Sequence, residues 1–322
     1  MKRGARLLGY VVILWLGATA NFLLPRLLPG DPIEFLIGEQ SNRLTVKQQN
    51  AVMAQFGLDQ PLLAQYGHYL SGLARLDLGN SVAQGMPVLT LIARRLPWTL
   101  LLVGSGIVLA FLLGFALACL FHWVRSAHTS SLVMCGVVFF GSLPAFWIGM
   151  LAIALFALHL GWLPSYGAAD IEHGITFIGV LRHALLPVAT LTLGYLPVVF
   201  LVARAALEEA LGEGYVALAR SHGARPIRVL LRQATPIAIL PLVNQFAMQF
   251  GVLLGGAVII ETVFAYPGLG SLLYEAILAL DFPLVQGVFL LLVFSMVLAN
   301  IGADLVQSRL DPRLRGGLEP NR

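Results

Sequence analysis

Long apolar stretches separated by clusters of charge dominate the pattern along the chain. Six windows without Lys, Arg, Asp or Glu are interpreted as membrane spans, and the shortest of the six is 19 residues long. A charged side chain at the centre of a bilayer costs about 2.5–3.5 kcal/mol, and a crossing helix needs about 20 apolar residues. We therefore expect six transmembrane helices, in the windows 7–25, 97–124, 126–169, 183–203, 233–260 and 282–303.

The third window is long enough for two helices, since it contains 44 residues. Its second half includes GWLPSYG at 161–167. Trp and Tyr beside Gly and Pro are typical of a loop at the membrane surface. We therefore expect one helix in this window, over about 131–158.

The distribution of basic residues predicts the orientation of the chain in the membrane. With the N-terminus in the cytoplasm, 13 of the 20 basic residues fall on cytoplasmic segments, whereas the two short outer loops carry only Arg182. This asymmetry follows the positive-inside rule and argues against a seventh helix. We expect a multi-pass membrane protein with both termini in the cytoplasm.

The first 20 residues also have features of a cleavable signal peptide: a basic start, an apolar run and Ala-Thr-Ala at 18–20. The apolar run continues through residues 22–24, however, which favours an uncleaved anchor.

Composition narrows the classes of protein. Hydrophobic residues make up 58% of the chain and charged residues 11%, which excludes a soluble globule, a disordered tail and a nucleic-acid scaffold. The chain has only two lysines, Lys2 and Lys47, so it lacks the Gly-Lys-Ser/Thr of a phosphate-binding P-loop. Its two cysteines and scattered histidines show no metal-ligand spacing, and a Gly-x-Ser-x-Gly nucleophile motif is also missing.

Residues 26–96 form a long segment on the outer side. Apolar positions over 62–76 recur at helical spacing and predict an amphipathic helix. We interpret the segment as a cap on the outer ends of the spans; the alternative is a passive linker.

The largest cytoplasmic loop, 204–232, has the signature of two short helices joined at a glycine. Residues 215–222 form a helix candidate, Gly223 suits the left-handed position after a helix, and Pro226 suits the first turn of the next. Basic residues surround this corner. Its composition alone leaves two interpretations open: a solvated turn, or an element that docks a partner.

The spacing of this loop resembles the coupling-loop motif of ABC importer permeases, Glu-Ala-Ala-x-x-x-Gly followed by Ile-x-Leu-Pro. Ala217 occupies the Glu position, Leu218 the first Ala position and His222 a position where relatives usually have Lys. The resemblance implies that this loop contacts an ATPase through Tyr215, Ala217, Leu218, Ala219, Arg220, Ser221, His222, Gly223, Arg225 and Pro226.

Further motifs extend the resemblance over nearly the whole chain, to the B-type permease of the dipeptide/oligopeptide/nickel family. They are LPGDP at 28–32, FGLDQP at 56–61, DLGNS at 77–81, RRLP at 94–97, SLPAFW at 142–147, FAYPGLG at 264–270 and LDPR at 310–313.

The resemblance implies an all-α, MetI-like type I importer fold in the bacterial cytoplasmic (inner) membrane. Its parts would be an N-terminal transmembrane helix (1–25), the cap (26–96), a five-helix core (97–306) and a cytoplasmic tail (307–322). The chain would form half of a pathway for di- or oligopeptides, or for a related solute such as a nickel chelate. The implied partners are a C-type permease, two cytoplasmic ATPases holding ATP-Mg, an extracytoplasmic substrate-binding protein and membrane lipid; no cofactor or nucleic acid would bind to this chain.

Two further groups are candidate functional residues. Gly251, Gly255 and Gly256 form a small-residue pattern that favours close helix packing near the pathway, or else faces lipid. The last outer loop has no Lys or Arg and could contact the binding protein or be solvated; its candidates are Glu261, Tyr266, Pro267, Gly268, Leu269, Gly270 and Asp281.

The sequence also has two rival functional interpretations. A secondary transporter or channel subunit would work without ATPases, but coupled transporters usually carry polar or charged groups at mid-membrane, and the expected spans have no charge there. An intramembrane enzyme would need a catalytic motif, and the sequence has neither a Gly-x-Ser-x-Gly nucleophile motif nor metal-ligand spacing.

Overall fold

The computed structural model describes residues 3–27, 60–124, 126–170 and 174–310, and this part of the chain is almost entirely helical. Its helices, in chain order, are α1 Arg3–Leu27, α2 Leu62–Ala74, α3 Val88–Trp123, α4 Ala127–Ser142, α5 Ala145–Ala152, α6 Phe177–Gly212, α7 Gly214–Ser221, α8 Pro226–Val229, α9 Thr235–Val263, α10 Leu269–Leu278 and α11 Phe282–Leu310. One π-helical turn, Ile153–His159, continues α5, and another, Leu230–Ala234, joins α8 to α9. The motif at 28–32, most of that at 56–61, and the tail from 311 lie outside the described residues.

Four of the expected spans are confirmed as helices long and apolar enough to cross a membrane. They are Val88–Trp123, Phe177–Gly212, Pro226–Gln249 and Phe282–Val306. The first expected span lies within α1, Arg3–Leu27, and Leu8–Leu24 is an apolar stretch of this helix.

The expectation of one continuous third span over 131–158 is wrong. The chain instead forms a pair of helices, His128–Ser142 and Ala145–His159, bent by 97°. Leu143 (ψ 134°) and Pro144 (ψ 135°) are extended, because proline removes an N–H donor and disfavours helical geometry in the residue before it. The pair counts as one broken span if it crosses the membrane.

The chain divides into two compact units, the first formed by Met1–Thr99 and Pro267–Val297. In this unit the amphipathic helix of the cap is confirmed as α2, which lies against α1. The hydroxyls of Thr19 and Tyr66 are 2.7 Å apart, and the amide of Asn21 donates to the Tyr69 hydroxyl at 3.2 Å. The helix ends before Leu76, contrary to the expected span, since Leu76 has a φ of 60°.

Close helix contacts organise the second unit, which contains Leu100–Tyr266 and Leu298–Arg322. Gly114 lets α3 approach α6, because a Cβ there would lie 2.9 Å from the side chain of Val199. An apolar core then continues along α6 to the π-helical turn and α9, and its buried members include Phe200, Leu207, Leu230 and Leu242. The loop between α6 and α9 therefore projects from a firmly packed base.

Candidate functional site

The helix α7 is the centre of the candidate site, between the long helix α6 and the short helix α8. It begins after Glu213, whose extended backbone (φ −68°, ψ 148°) interrupts the helical run of α6. The side chain of Val216 is fully buried and anchors α7 to its own unit. Tyr215 adds a second anchor, since its hydroxyl donates to the carbonyl of Ala210 at 3.3 Å.

The glycine corner predicted at the end of α7 is confirmed. Gly223 has a φ of 79°, and its N–H donates to the carbonyl of Arg220 at 3.0 Å. The N–H of Ala224 donates to the carbonyl of Ala219 at 3.1 Å. This pair of bonds is a Schellman motif, which satisfies the last carbonyls of a helix and requires a left-handed residue at the corner.

The second arm of the loop joins directly to a span. Pro226 lies in the first turn of α8, as predicted, and Val229 is fully buried. The helix passes through the π-helical turn Leu230–Ala234 into α9 without an intervening loop. A displacement of the corner would therefore act on both α6 and α9, which is the geometry that a force-transmitting element needs.

Most of the remaining candidate residues of this loop are at the surface. Leu218 is 61% exposed, and Arg220, Ser221, His222 and Arg225 are also exposed. Burial raises the pKa of Tyr215, and the carboxylate of Glu213 adds to this effect. The surface thus offers apolar and cationic groups for contact with a partner.

The structure also bears on metal binding and on the packing glycines. Among the described residues, no group of three or more His, Cys, Asp or Glu side chains is placed to hold a metal ion. Gly251, Gly255 and Gly256 belong to α9, but their surroundings lie outside the part of the structure that describes side chains. The proposed role of these three glycines stays a prediction.

The expected outer contact surface is mostly buried, which corrects the interpretation of its residues as solvated or free to contact a binding protein. Glu261, Tyr266 and Asp281 have no exposed surface, and Pro267 is half-buried. Burial raises the pKa of Tyr266 to about 12, with a contribution from Glu261. The backbone beside these residues is also unusual, since Ala265 has a φ of 44°. Three further candidates are buried as well: Gly268, Leu269 and Gly270.

Specific contacts explain part of this burial in the first unit. The carboxylate of Asp281 accepts hydrogen bonds from the Ser81 hydroxyl, from the Ala83 N–H at 3.1 Å and from the Leu284 N–H at 3.3 Å. The N–H of Leu269 donates to the Thr99 hydroxyl at 2.7 Å. Asp281 is thus a structural acceptor at the start of α11. Ser81 ends the DLGNS motif at 77–81, whose pattern does not reveal this distant partner.

Comparison with known proteins identifies the family. Residues 106–316 match the family described as binding-protein-dependent transport system inner membrane component, and residues 4–103 match the N-terminal family of the same transport systems. The two matches cover both the candidate loop and the segment that carries α1 and α2.

Two relatives from Escherichia coli (strain K12) match almost end to end. One is named "Probable D,D-dipeptide transport system permease protein DdpB" and is 36% identical, over 97% of this chain and 96% of its own. The other, the glutathione transport system permease protein GsiC, is 34% identical, over 96% and 97% of the two chains.

A solved structure confirms the fold. A chain of the MetNI methionine ABC transporter, in its inward-facing conformations, matches with a TM-score of 0.57 and 21% identity, over 69% of this chain and 97% of that chain. Together with the family matches and the apolar helices, this similarity establishes an all-α, multi-pass permease of the ABC importer type. The chain belongs to the family of binding-protein-dependent transport system inner membrane components.

Proposed function

We propose that this chain forms one half of the translocation pathway of an importer for small peptides, or for a related small solute, and that a C-type permease forms the other half. The observation that carries the proposal is the exposed helix–glycine–helix corner around Gly223, built on the packed bases of α6 and α9. The names of the two relatives support peptides as the substrate class, since one refers to D,D-dipeptides and the other to glutathione.

Two cytoplasmic ATPases supply the energy in this proposal, and they bind the ATP-Mg. The division of labour is supported by the sequence, which contains no Gly-Lys-Ser/Thr. An extracytoplasmic binding protein delivers the substrate, as the family description implies. The chain itself then acts as a transport subunit rather than as an enzyme.

The corner couples the ATPases to the spans. When the ATPases close on ATP, they move α7, and the motion reaches α6 and α9 because Val216, Val229 and Leu230 are buried against their own unit. A loop with this packing moves as a rigid lever, whereas a solvated turn would absorb the displacement. The spans then exchange inward-facing and outward-facing arrangements.

Both termini and α7 lie in the cytoplasm in this proposal. The distribution of basic residues supports this orientation. It requires the bent pair His128–Ser142 and Ala145–His159 to cross the membrane once, since a re-entrant loop there would place α7 on the outer side.

Uptake of labelled di- and tripeptides by cells with and without the gene tests the proposal. We expect gene-dependent uptake that survives collapse of the proton and sodium gradients while cellular ATP is maintained. Uptake that stops with the gradients would favour a secondary transporter and would contradict the proposal.

A further inference from the structure

The outward face of α7 carries one large aliphatic side chain, Leu218, among small residues, with the 39% exposed ring of Tyr215 one turn before it. Gly214, Ala217, Leu218 and Ser221 are spaced three or four positions apart and share this face. All four are exposed, and Leu218 is 61% exposed. The face is therefore a patch of small residues with a single aliphatic knob, Leu218, beside the ring of Tyr215.

The knob is not needed to hold α7 on its own unit. That task falls to Val216 on the opposite face, which is fully buried, and to Ala219, which is half-buried. Exposing a leucine side chain forgoes the stabilisation that its burial would give. Burial of Leu218 in a complex would recover it.

The polar groups beside the knob are already bonded within the helix. The Ser221 hydroxyl donates to the carbonyl of Leu218 at 2.7 Å, and Nδ1 of His222 lies 2.8 Å from the same oxygen. Both side chains therefore cap the end of α7, which leaves the apolar knob as the main feature of this face.

Cationic side chains follow the knob along the chain, one on α7 and two at α8. Arg220, Arg225 and Arg228 are exposed, and within the described residues none of the three forms an ion pair with a carboxylate. The nearest acidic residues in sequence, Glu209 and Glu213, lie before α7 rather than after it. A complementary partner surface would be apolar opposite Leu218 and acidic opposite the arginines.

We propose that the ATPase partner receives Leu218 in an apolar socket bordered by carboxylates, so that Leu218 selects the ATPase that this permease accepts. The inference rests on the proposed function, because it assumes that α7 docks an ATPase. The general motif has Glu one position earlier and a small Ala in place of Leu218. An ATPase adapted to that form would lack the socket, and it would bind this chain weakly.

Binding measurements on the permease pair in nanodiscs test the inference, with the ATPase subunits that co-purify with the wild-type chain as the probe. We expect Leu218→Ala to weaken binding about tenfold or more, because the buried apolar contact is lost, and Leu218→Met to bind nearly as the wild type does. The matched control is Leu63→Ala, since Leu63 is 85% exposed in α2 and its truncation should leave binding unchanged.

Salt distinguishes the socket from the charged border. The loss caused by Leu218→Ala should persist between about 0.1 M and 0.5 M salt, whereas the loss caused by Arg225→Ala should shrink as salt rises. Wild-type affinity in Leu218→Ala would overturn the inference. A loss that disappears at high salt would also contradict an apolar socket.

Cross-linking separates this inference from the proposed function. If the Ser221→Cys variant cross-links to the ATPase while Leu218→Ala binds normally, α7 docks the ATPase but the socket is wrong. If no ATPase associates with the wild-type chain, the proposed function and the inference both fail.

Discussion

Ser81 and Asp281, 200 positions apart in the sequence, share a hydrogen bond in the buried part of the first unit. The Asp281 carboxylate also accepts two backbone N–H groups, from Ala83 and Leu284. It thereby joins the segment after α2 to the start of α11. A buried carboxylate is stable only while its acceptor sites are satisfied, so this bond should matter for stability.

Removal of the Ser81 hydroxyl should destabilise the protein. Ser81→Ala leaves the carboxylate of Asp281 without one of its donors, at a cost of about 1.5–3 kcal/mol. Thermal unfolding of the purified complex measures the effect. Ser71→Ala is the control, because the Ser71 hydroxyl donates only to the exposed turn of its own helix. Equal melting temperatures for Ser81→Ala and the wild type would contradict the structural role of Asp281.

Substitution of Gly223 should impair transport through the backbone alone. No atom lies within 4 Å of a Cβ built there, so Gly223→Ala meets only the strain of a positive φ, about 1–2 kcal/mol. Gly223→Pro also loses the N–H bond to Arg220 and cannot adopt the positive φ. We expect reduced uptake for the first variant and none for the second, with normal membrane insertion.

Gly212 provides the matched control for the corner. A Cβ there also meets no atom within 4 Å, but its φ is not in the left-handed range. Gly212→Ala should therefore transport as the wild type does. Full ATP-coupled uptake by Gly223→Pro would refute the role of the corner in coupling.

Charge reversal beside α7 should weaken the complex with the ATPases. Arg220 and Arg225 are exposed, and replacement of either with Glu turns attraction to an acidic surface into repulsion. We expect a lower yield of ATPase in co-purification at low salt. Arg75→Glu is the control, since Arg75 is exposed at the end of α2. An undiminished yield would mean that these arginines serve only to orient the chain in the membrane.

Cysteine labelling tests whether the bent helix pair crosses the membrane. In a chain with Cys119 and Cys135 replaced, an impermeant reagent should label Ser165→Cys in intact cells. The same reagent should label Ser221→Cys only after the membrane is opened, because one crossing by the pair places the two sites on opposite sides. The reverse pattern would invert the orientation of α7 and remove it from reach of any cytoplasmic ATPase.

Local sequence signals predicted the corner well, because its geometry depends on nearby residues. Gly223 and Pro226 have conformational preferences that hold in almost any context, and the structure confirms both positions. The charge-free windows similarly predicted four long apolar helices, since burial of charge in a bilayer is costly wherever it occurs.

Two features are not expressed by hydropathy or periodicity: a helix break inside an apolar stretch, and a hydrogen bond between distant residues. Hydropathy over 131–158 does not take into account that Pro144 lacks a backbone N–H. It therefore predicts a continuous helix where the chain breaks at Leu143. The acidic residue Asp281 looked like a surface group because its donors, Ser81 and Ala83, come from another part of the chain. Sequence periodicity does not encode such long-range pairing.

The most direct test of the account is peptide accumulation in proteoliposomes that contain the purified permease pair and the binding protein, with and without the ATPase subunits. We predict accumulation against a gradient only when the ATPases and ATP-Mg are both present, and none when Gly223→Pro replaces the wild-type chain. Uphill accumulation without the ATPases would contradict the account.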